Sequence, residues 1–304
     1  MRLPRELRAL PALAETRAEA LLRDLHNRQV WRIRLNGKTA YLKRFLGPDR
    51  DRQATGAHNR LCAAGRILGQ DRNAAVRPLL LIAPAGVLVT EPASGVPLGQ
   101  ALQRAENRAA LIGRAGDWLA RLASGSRETG SFGPRYWIDG LQRRLDSVQR
   151  DWLDAALVDR HLAIMREEGA SLRQARVERA CLHGDLTGDN LFHDAANDRM
   201  TAIDMQDWGP IAVARDVARL LVWLESRRIE DGSSHMDGIS AGDYRAMSGT
   251  PGLLGDDQMP LLRFMIGDLL LAYYLDSDHQ PTRRAALARA MRAWAQPSSA
   301  SAAR

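Results

Sequence analysis

The stretch Cys181–Trp208, CLHGDLTGDNLFHDAANDRMTAIDMQDW, decides how the rest of the chain is read. It holds His183-Gly184-Asp185, then Asn190, then Ile203-Asp204 after a short apolar run. A carboxylate such as Asp185 can hold an acceptor hydroxyl and relieve it of its proton. Asn190 and Asp204 offer one neutral and one anionic oxygen, hard donors of the kind magnesium takes together with phosphate oxygens and water. Phosphoryl transfer asks a protein mainly for such positioning and charge neutralisation. The competing reading is a polar surface loop whose carboxylates are incidental.

Towards the N-terminus the pattern turns to strands. VWRIRL (Val30 to Leu35) alternates apolar and polar residues, and Asn36-Gly37 is a strong hairpin signal. TAYLKRF (Thr39 to Phe45) then reads as the returning strand. Ala20 to Asp24 suits a strand or a helix end, with His26-Asn27-Arg28 as a turn. A helix is expected around Gln53 to Leu61, ending near Gly65. Two further strands fall within Arg77 to Pro92, joined at Pro84 to Gly86.

Beyond Gly95 the composition is helical. Leu102, Leu111, Trp118, Leu119 and Leu122 suit an amphipathic region over 98–123. More helices are expected at 138–178, 210–228, 258–277 and 281–295. The tail from Gln296 to Arg304 is small and polar and reads as disordered. The expected fold class is α+β: a small antiparallel β-rich N-terminal lobe over 1–92, a larger helical lobe over 93–295, and the tail 296–304.

H-G-D-x-x-x-x-N followed by I-D resembles the catalytic and metal-binding loops of the aminoglycoside phosphotransferase and choline kinase family, relatives of protein kinases. The resemblance implies a bilobal protein-kinase-like fold, with ATP and Mg²⁺ as cofactors and a small-molecule hydroxyl as acceptor. It implies Asp185 as catalytic base, with Asn190 and Asp204 as magnesium ligands. Lys43, in the strand TAYLKRF, stands where the family's lysine grips the α- and β-phosphates; otherwise it is a solvated strand lysine. VLVTEPASGVPL (Val87 to Leu98) is similar to the family's hinge, where the backbone of Glu91 and Ala93 would bond the adenine edge. The turn at Asn27 replaces a glycine-rich loop, and its amides would touch phosphate. Asp216 matches a family aspartate expected to cap a helix or brace the catalytic loop, and His183 is expected to hold that loop by hydrogen bonds.

Three features depart from the family pattern. No G-x-G-x-x-G lies between the first strands. The stretch DRQATGAHNRL offers Asp51, Gln53, His58 and Asn59 but no glutamate to pair with the lysine. Leu122-Ala123 stands where many members carry Leu-His. The alternatives to a small-molecule kinase are a kinase acting on lipopolysaccharide or protein and a nucleotide-binding pseudokinase. No A-P-E signature follows Asp204 to support a protein substrate.

Composition narrows the partners. The net charge is +7, but the arginines are spread along helical stretches, as at Arg143, Arg144 and Arg150, without a basic block interleaved with aromatics. Nucleic-acid binding is therefore not expected. No run approaches the ~18 apolar residues of a membrane span. The charged N-terminus lacks the apolar core of a secretory signal, and Glu6 and Glu15 do not suit a transit peptide, so a cytoplasmic protein is expected. Cys62 and Cys181 lack C-x-x-C spacing, and the seven histidines show no metal-ligand spacing. Gly37-Lys38-Thr39 mimics the end of a P-loop, but Arg32 occupies the place of its first glycine.

The acceptor is less legible. Glu230, Asp231, Asp237, Asp243, Asp256, Asp257 and Asp268 could form an acidic wall for a cationic acceptor, or simply be solvated loops. Asp207 could assist the metal or face the substrate. Trp208 and Trp223 could stack on a sugar or quaternary amine, or belong to the core. IDMQDWGPIAVARD is similar to a run in members that phosphorylate sugars and amino sugars, which leans towards a hydroxylated metabolite. The sequence fixes no oligomeric state.

Overall fold

A computed structural model describes residues 2–147, 150–206, 209–229 and 234–296. The roles considered for Asp207, Trp208, Glu230 and Asp231, and the tail beyond Gln296, lie outside the described residues. By internal contacts the chain divides into two compact units, Met1–Val96 with Phe192–Gln206, and Pro97–Leu191 with Asp207–Arg304.

The first unit begins with a short helix, α1 (Arg5–Arg8), followed by strands β1 (Arg17–Leu25), β2 (Arg28–Leu35) and β3 (Lys38–Phe45). Helix α2 (Arg50–Leu68) and strands β4 (Asn73–Ala75), β5 (Pro78–Ile82), β6 (Val87–Thr90) and β7 (Val96–Pro97) complete its first segment. The main sheet has the order β1-β2-β3-β6-β5 and is antiparallel at every pairing. Its β2–β3 turn pairs Leu35 with Lys38 and puts Asn36 at φ 50° and Gly37 at φ 75°. Positive φ at both central residues matches the twist of the flanking strands, which is why Asn-Gly is read as a hairpin.

Side chains alternate between the faces of a strand, and the sequence obeys this. Trp31, Ile33, Ala40, Leu42, Val87 and Val89 are buried together with Leu3, Leu7 and Leu13 of the N-terminal segment. Lys43, one residue after Leu42, falls on the opposite face of β3. The burial of Ala54, Ala57, Leu61, Ala64 and Leu68 gives α2 one apolar face at helical spacing. This helix runs past its expected end because Gly65 sits within it. The left-handed stop comes at Gly69, φ 83°.

In the second unit the chain forms α3 (Leu98–Arg104), α4 (Arg108–Ser124), β8 (Glu128–Ser131), α5 (Pro134–Asp146), α6 (Ala155–Ser171) and β9 (Arg176–Ala180). Strands β10 (Leu191–Asp194) and β11 (Arg199–Ala202) carry it back into the first unit, in a sheet of order β4-β11-β10-β7. The remainder comprises β12 (Ile211–Ala212), α7 (Val213–Glu225), β13 (His235–Met236), β14 (Ile239–Ser240), α8 (Ala241–Ser248), α9 (Met259–Leu275) and α10 (Pro281–Trp294). Side-chain caps start two helices: Asn107 accepts from the amide of Ala110 at 2.9 Å and Asp154 from that of Leu157 at 3.1 Å. Helix α9 is buried on nearly all sides, as expected for a helix that is apolar all round.

The continuous helical region expected at 138–178 is corrected in two ways. Helix α5 ends at Asp146 and α6 begins only at Ala155, while Arg176–Ala180 is a strand between β8 and β12. RVERA has a helix-compatible composition, so pairing with two neighbours decides its conformation. Helix α8 and the hairpin before it were not anticipated, being too short to show a periodicity. Among the described residues no helix is long and apolar enough to cross a membrane.

Candidate active site

The loop after β9 is organised by buried hydrogen bonds within the second unit. Asp216, in the first turn of α7 and fully buried, accepts from the backbone amides of His183 at 2.9 Å and Gly184 at 3.0 Å. Gly184 has φ 79°, a left-handed conformation that suits glycine. His183 is also fully buried, and its Nδ1 accepts from the amide of Asp185 at 3.2 Å. That bond fixes the proton of a neutral ring on Nε2. His183 and Asp216 thus set the backbone from which the Asp185 side chain projects.

Asn190 closes the loop. Its Nδ2 donates to the Asp185 carbonyl at 2.9 Å and to Asp185 Oδ2 at 3.1 Å, while its amide donates to Thr187 at 3.1 Å. Asp185 Oδ1 receives Arg219 Nη1 at 3.0 Å. Arg219 lies one turn after Asp216 on α7 and also hydrogen-bonds the Tyr273 hydroxyl. Sequence reasoning missed Arg219. The available signal was its helical spacing from Asp216, which brings both side chains onto the face of α7 beneath the loop.

In the first unit Lys43 Nζ is ion-paired with Asp204 Oδ1. Both side chains are largely shielded, at 18% and 27% exposure, and Lys43 also sits 5.0 Å from the centre of the Phe45 ring. Asp204 has φ 54°, unusual for a residue other than glycine and a form of backbone strain found at functional sites. From helix α2, Arg60 Nε donates to the carbonyl of Met205 at 2.9 Å, anchoring the segment that carries Asp204.

Two other expected nucleotide contacts lie in this unit. The Glu91 amide donates to the Arg77 carbonyl at 3.0 Å, and the Glu91 carboxylate accepts from the Arg77 amide at 3.1 Å and from Arg77 Nε at 2.8 Å. With its amide engaged, the Glu91 backbone has only its carbonyl left to offer a ligand. A cavity of about 400 Å³ lies beside it, lined by Gln70, Arg77, Glu91, Pro92, Ser94, Arg199 and Thr201. Ala93 follows in the same segment. Gly95, φ 82°, passes so close to His193 that a Cβ there would lie 2.1 Å from its carbonyl oxygen. Asn27 occupies the exposed β1–β2 turn, where its carbonyl accepts from the amide of Leu46 at 2.9 Å.

The donor chemistry fits a Mg·nucleotide. In the second unit Asn190, with its Nδ2 committed to Asp185, keeps its amide oxygen, and in the first unit Asp204 carries a carboxylate beside Lys43; both are hard oxygen donors of the type magnesium takes.

Of the acids that could form a wall or solvated loops, several are paired with arginines. Asp237 binds Arg263 at 2.7 Å, Asp243 binds Arg108 at 2.7 Å and Arg228 at 2.8 Å, and Asp268 binds Arg215 at 3.2 Å. Burial raises the Asp268 carboxyl above the usual carboxylate range even beside Arg215. Asp256 and Asp257 are exposed. Trp223 is buried at 5% exposure, and Arg227 stacks on its ring at 3.8 Å, so it is a core residue under an arginine and offers no open stacking platform.

Fold and loop together define a phosphotransferase of the kinase type. The sequence profile of the phosphotransferase enzyme family matches residues 17–250, more than half of the chain, and the protein belongs to that family. The fold agrees. A choline/ethanolamine kinase family protein from Mesorhizobium loti superposes with a TM-score of 0.62 at 18% identity, over 96% of this chain and 93% of its own. Aminoglycoside phosphotransferase APH(4)-Ia gives 0.59 at 16% identity, over 92% and 95%. The GDP and kanamycin complex of APH(2")-IIIa gives 0.62 at 12% identity, over 93% and 95%. At these identities the similarity is one of fold, which is protein-kinase-like, with an antiparallel sheet towards the N-terminus and helices towards the C-terminus. No curated protein matches the chain.

Proposed function

We propose that the protein uses ATP and Mg²⁺ to phosphorylate the hydroxyl of a small molecule. Asp185 is the base, Asn190 and Asp204 hold the metal, and Lys43 steadies the nucleotide phosphates. Glu91 and Ala93 meet the adenine through their backbone, and the Asn27 turn covers the phosphates. In this reading residues 1–92 serve the nucleotide, 93–295 carry the base and the acceptor, and the protein works in the cytoplasm.

The observation that carries the reading is the pair of bonds from Asn190 to Asp185. One side chain orients the base while its remaining oxygen is set for a metal, so proton abstraction and charge neutralisation are coupled within one loop. The absence of a helix glutamate does not strand Lys43, because Asp204 supplies its carboxylate.

Thermal unfolding with ATP or GTP, each with and without Mg²⁺, tests this. A ligand that binds only the folded state raises the midpoint by mass action. The expected result is a metal-dependent rise with ATP that is lost in Asp204→Ala. No rise with either nucleotide, or a rise unchanged in Asp204→Ala, would overturn the assignment.

A further inference from the structure

The side chains around Asp185 in the second unit are rich in arginine. Arg219 pairs with Asp185 itself at 3.0 Å. Arg227 stacks on Trp223 and reaches Asp189 at 3.3 Å, a pair with exposures of 44% and 65%. Arg283 lies over the Tyr273 ring at 4.8 Å and donates to Gln280 at 3.1 Å. Tyr273 in turn holds Arg219 and lies near both Arg227 and Arg283, so the three guanidinium groups surround one tyrosine.

The charges here do not balance. Among the described residues Arg283 makes no ion pair with a carboxylate, and the Nε atoms of both Arg219 and Arg283 are buried without an acceptor. The Asp189–Arg227 pair is exposed, and such pairs contribute little and exchange readily. Other arginines of this unit do meet carboxylates: Arg108 and Arg228 pair with Asp243, Arg215 with Asp268, and Arg263 with Asp237 and Glu168. Among the described residues Arg283, over the Tyr273 ring, has no such carboxylate, and Arg219 and Arg283 each keep an Nε donor unfilled. An excess of fixed guanidinium groups with unfilled donors suits an oxyanion, which arginine meets with paired hydrogen bonds. A cationic amine would meet repulsion.

We propose that the acceptor carries a carboxylate or phosphate group beside the hydroxyl it presents to Asp185, and that Arg227 and Arg283 bind this group. The inference rests on the phosphotransferase reading and adds the charge of its acceptor. Arg219 serves as a positioning residue for Asp185, and the Tyr273 hydroxyl as its support. The same guanidinium groups could instead meet the terminal phosphate of the nucleotide, and the test separates these two sources.

Isothermal titration of inorganic phosphate into the full chain already saturated with Mg·AMP-PNP, an analogue that fills the terminal phosphate position, reads the anion site directly. Saturable binding is expected, weakened at least about 10-fold in Arg283→Gln and in Arg227→Gln and unchanged in Arg135→Gln, an exposed arginine on α5. Phosphate bound only without AMP-PNP would assign the arginines to the nucleotide and overturn the proposal. So would equal binding in the variants, no phosphate binding at all, or saturable binding of choline in its place. The titration of Mg·AMP-PNP itself reports separately. If it fails to bind, the phosphotransferase reading falls, while phosphate titration of the nucleotide-free chain still shows whether Arg227 and Arg283 hold an anion.

Discussion

Lys43 Nζ donates to Asp204 Oδ1, an ion pair that joins residues 161 positions apart in the sequence. It links a lysine of β3 to the aspartate proposed as a metal ligand. Lys43→Met leaves Asp204 with less countercharge and, in the proposed role of Lys43, takes one cation from the nucleotide phosphates. The Kd for Mg·ATP, by calorimetry, is expected to rise at least about 10-fold, and Lys43→Arg should not restore it because a planar guanidinium does not replace a compact ammonium. An unchanged Kd in Lys43→Met would remove the lysine from the nucleotide site.

Asp185→Asn keeps the shape of the side chain but removes the carboxylate proposed as the acceptor of the proton. Transfer is expected to fall by about 10²–10⁴-fold, the usual range for general acid–base catalysis, with Mg·ATP binding nearly intact. Slow ATP turnover to solvent, measured by phosphate release, is the readout that needs no knowledge of the acceptor. Near-wild-type turnover would show that another group takes the proton.

Asp216 is the acceptor for two buried amides of the catalytic loop. Asp216→Ala leaves both without a partner, at about 1–3 kcal/mol each. The urea midpoint should fall accordingly, whereas Asp216→Asn, which retains one acceptor oxygen, should lose less. Equal stability of Asp216→Ala and the parent protein would mean that the loop is held by other contacts.

His161 carries a pH dependence unrelated to the active site. It is fully buried, donates from Nε2 to the Gly267 carbonyl at 2.8 Å, and its ring lies 4.3 Å from that of Trp294. Burial lowers its pKa from 6.5 to about 4, so between these values the unfolded chain binds a proton that the folded one does not. Folding stability from this group is intact above pH 6.5 and declines as pH falls towards about 4. The decline should be on the order of 1–3 kcal/mol. Urea unfolding at pH 7.5 and 5.0 is expected to show a smaller pH difference in His161→Gln than in the parent protein. The same slope in both would assign the acid sensitivity elsewhere.

The sequence by itself determined the features that are local. Asn36-Gly37 specified a hairpin because two adjacent residues that accept positive φ set its twist, and alternation in Val30–Leu35 placed Trp31 and Ile33 in the core. The sequence singled out Asp185 and Asn190 in one loop, while the bonds from the Asn190 amide to Asp185 came only with the structure. The brace from Asp216 was anticipated through family resemblance, and only the structure gave it two definite amide partners.

Tertiary structure decided what depends on packing between distant segments. The pairing of Lys43 with Asp204, the bond from Arg60 to the Met205 carbonyl and the contact of Arg219 with Asp185 all join positions whose separation in sequence carries no periodic signal. The acids of the region 225–278 looked like a wall because a sequence shows charges without their partners. In the fold Asp237, Asp243 and Asp268 each lie against an arginine, so these three acids form no open wall. Short strands such as Arg176–Ala180 escaped for the same reason: a few residues bear no pattern of their own, and backbone pairing with remote neighbours outweighs their weak local preference.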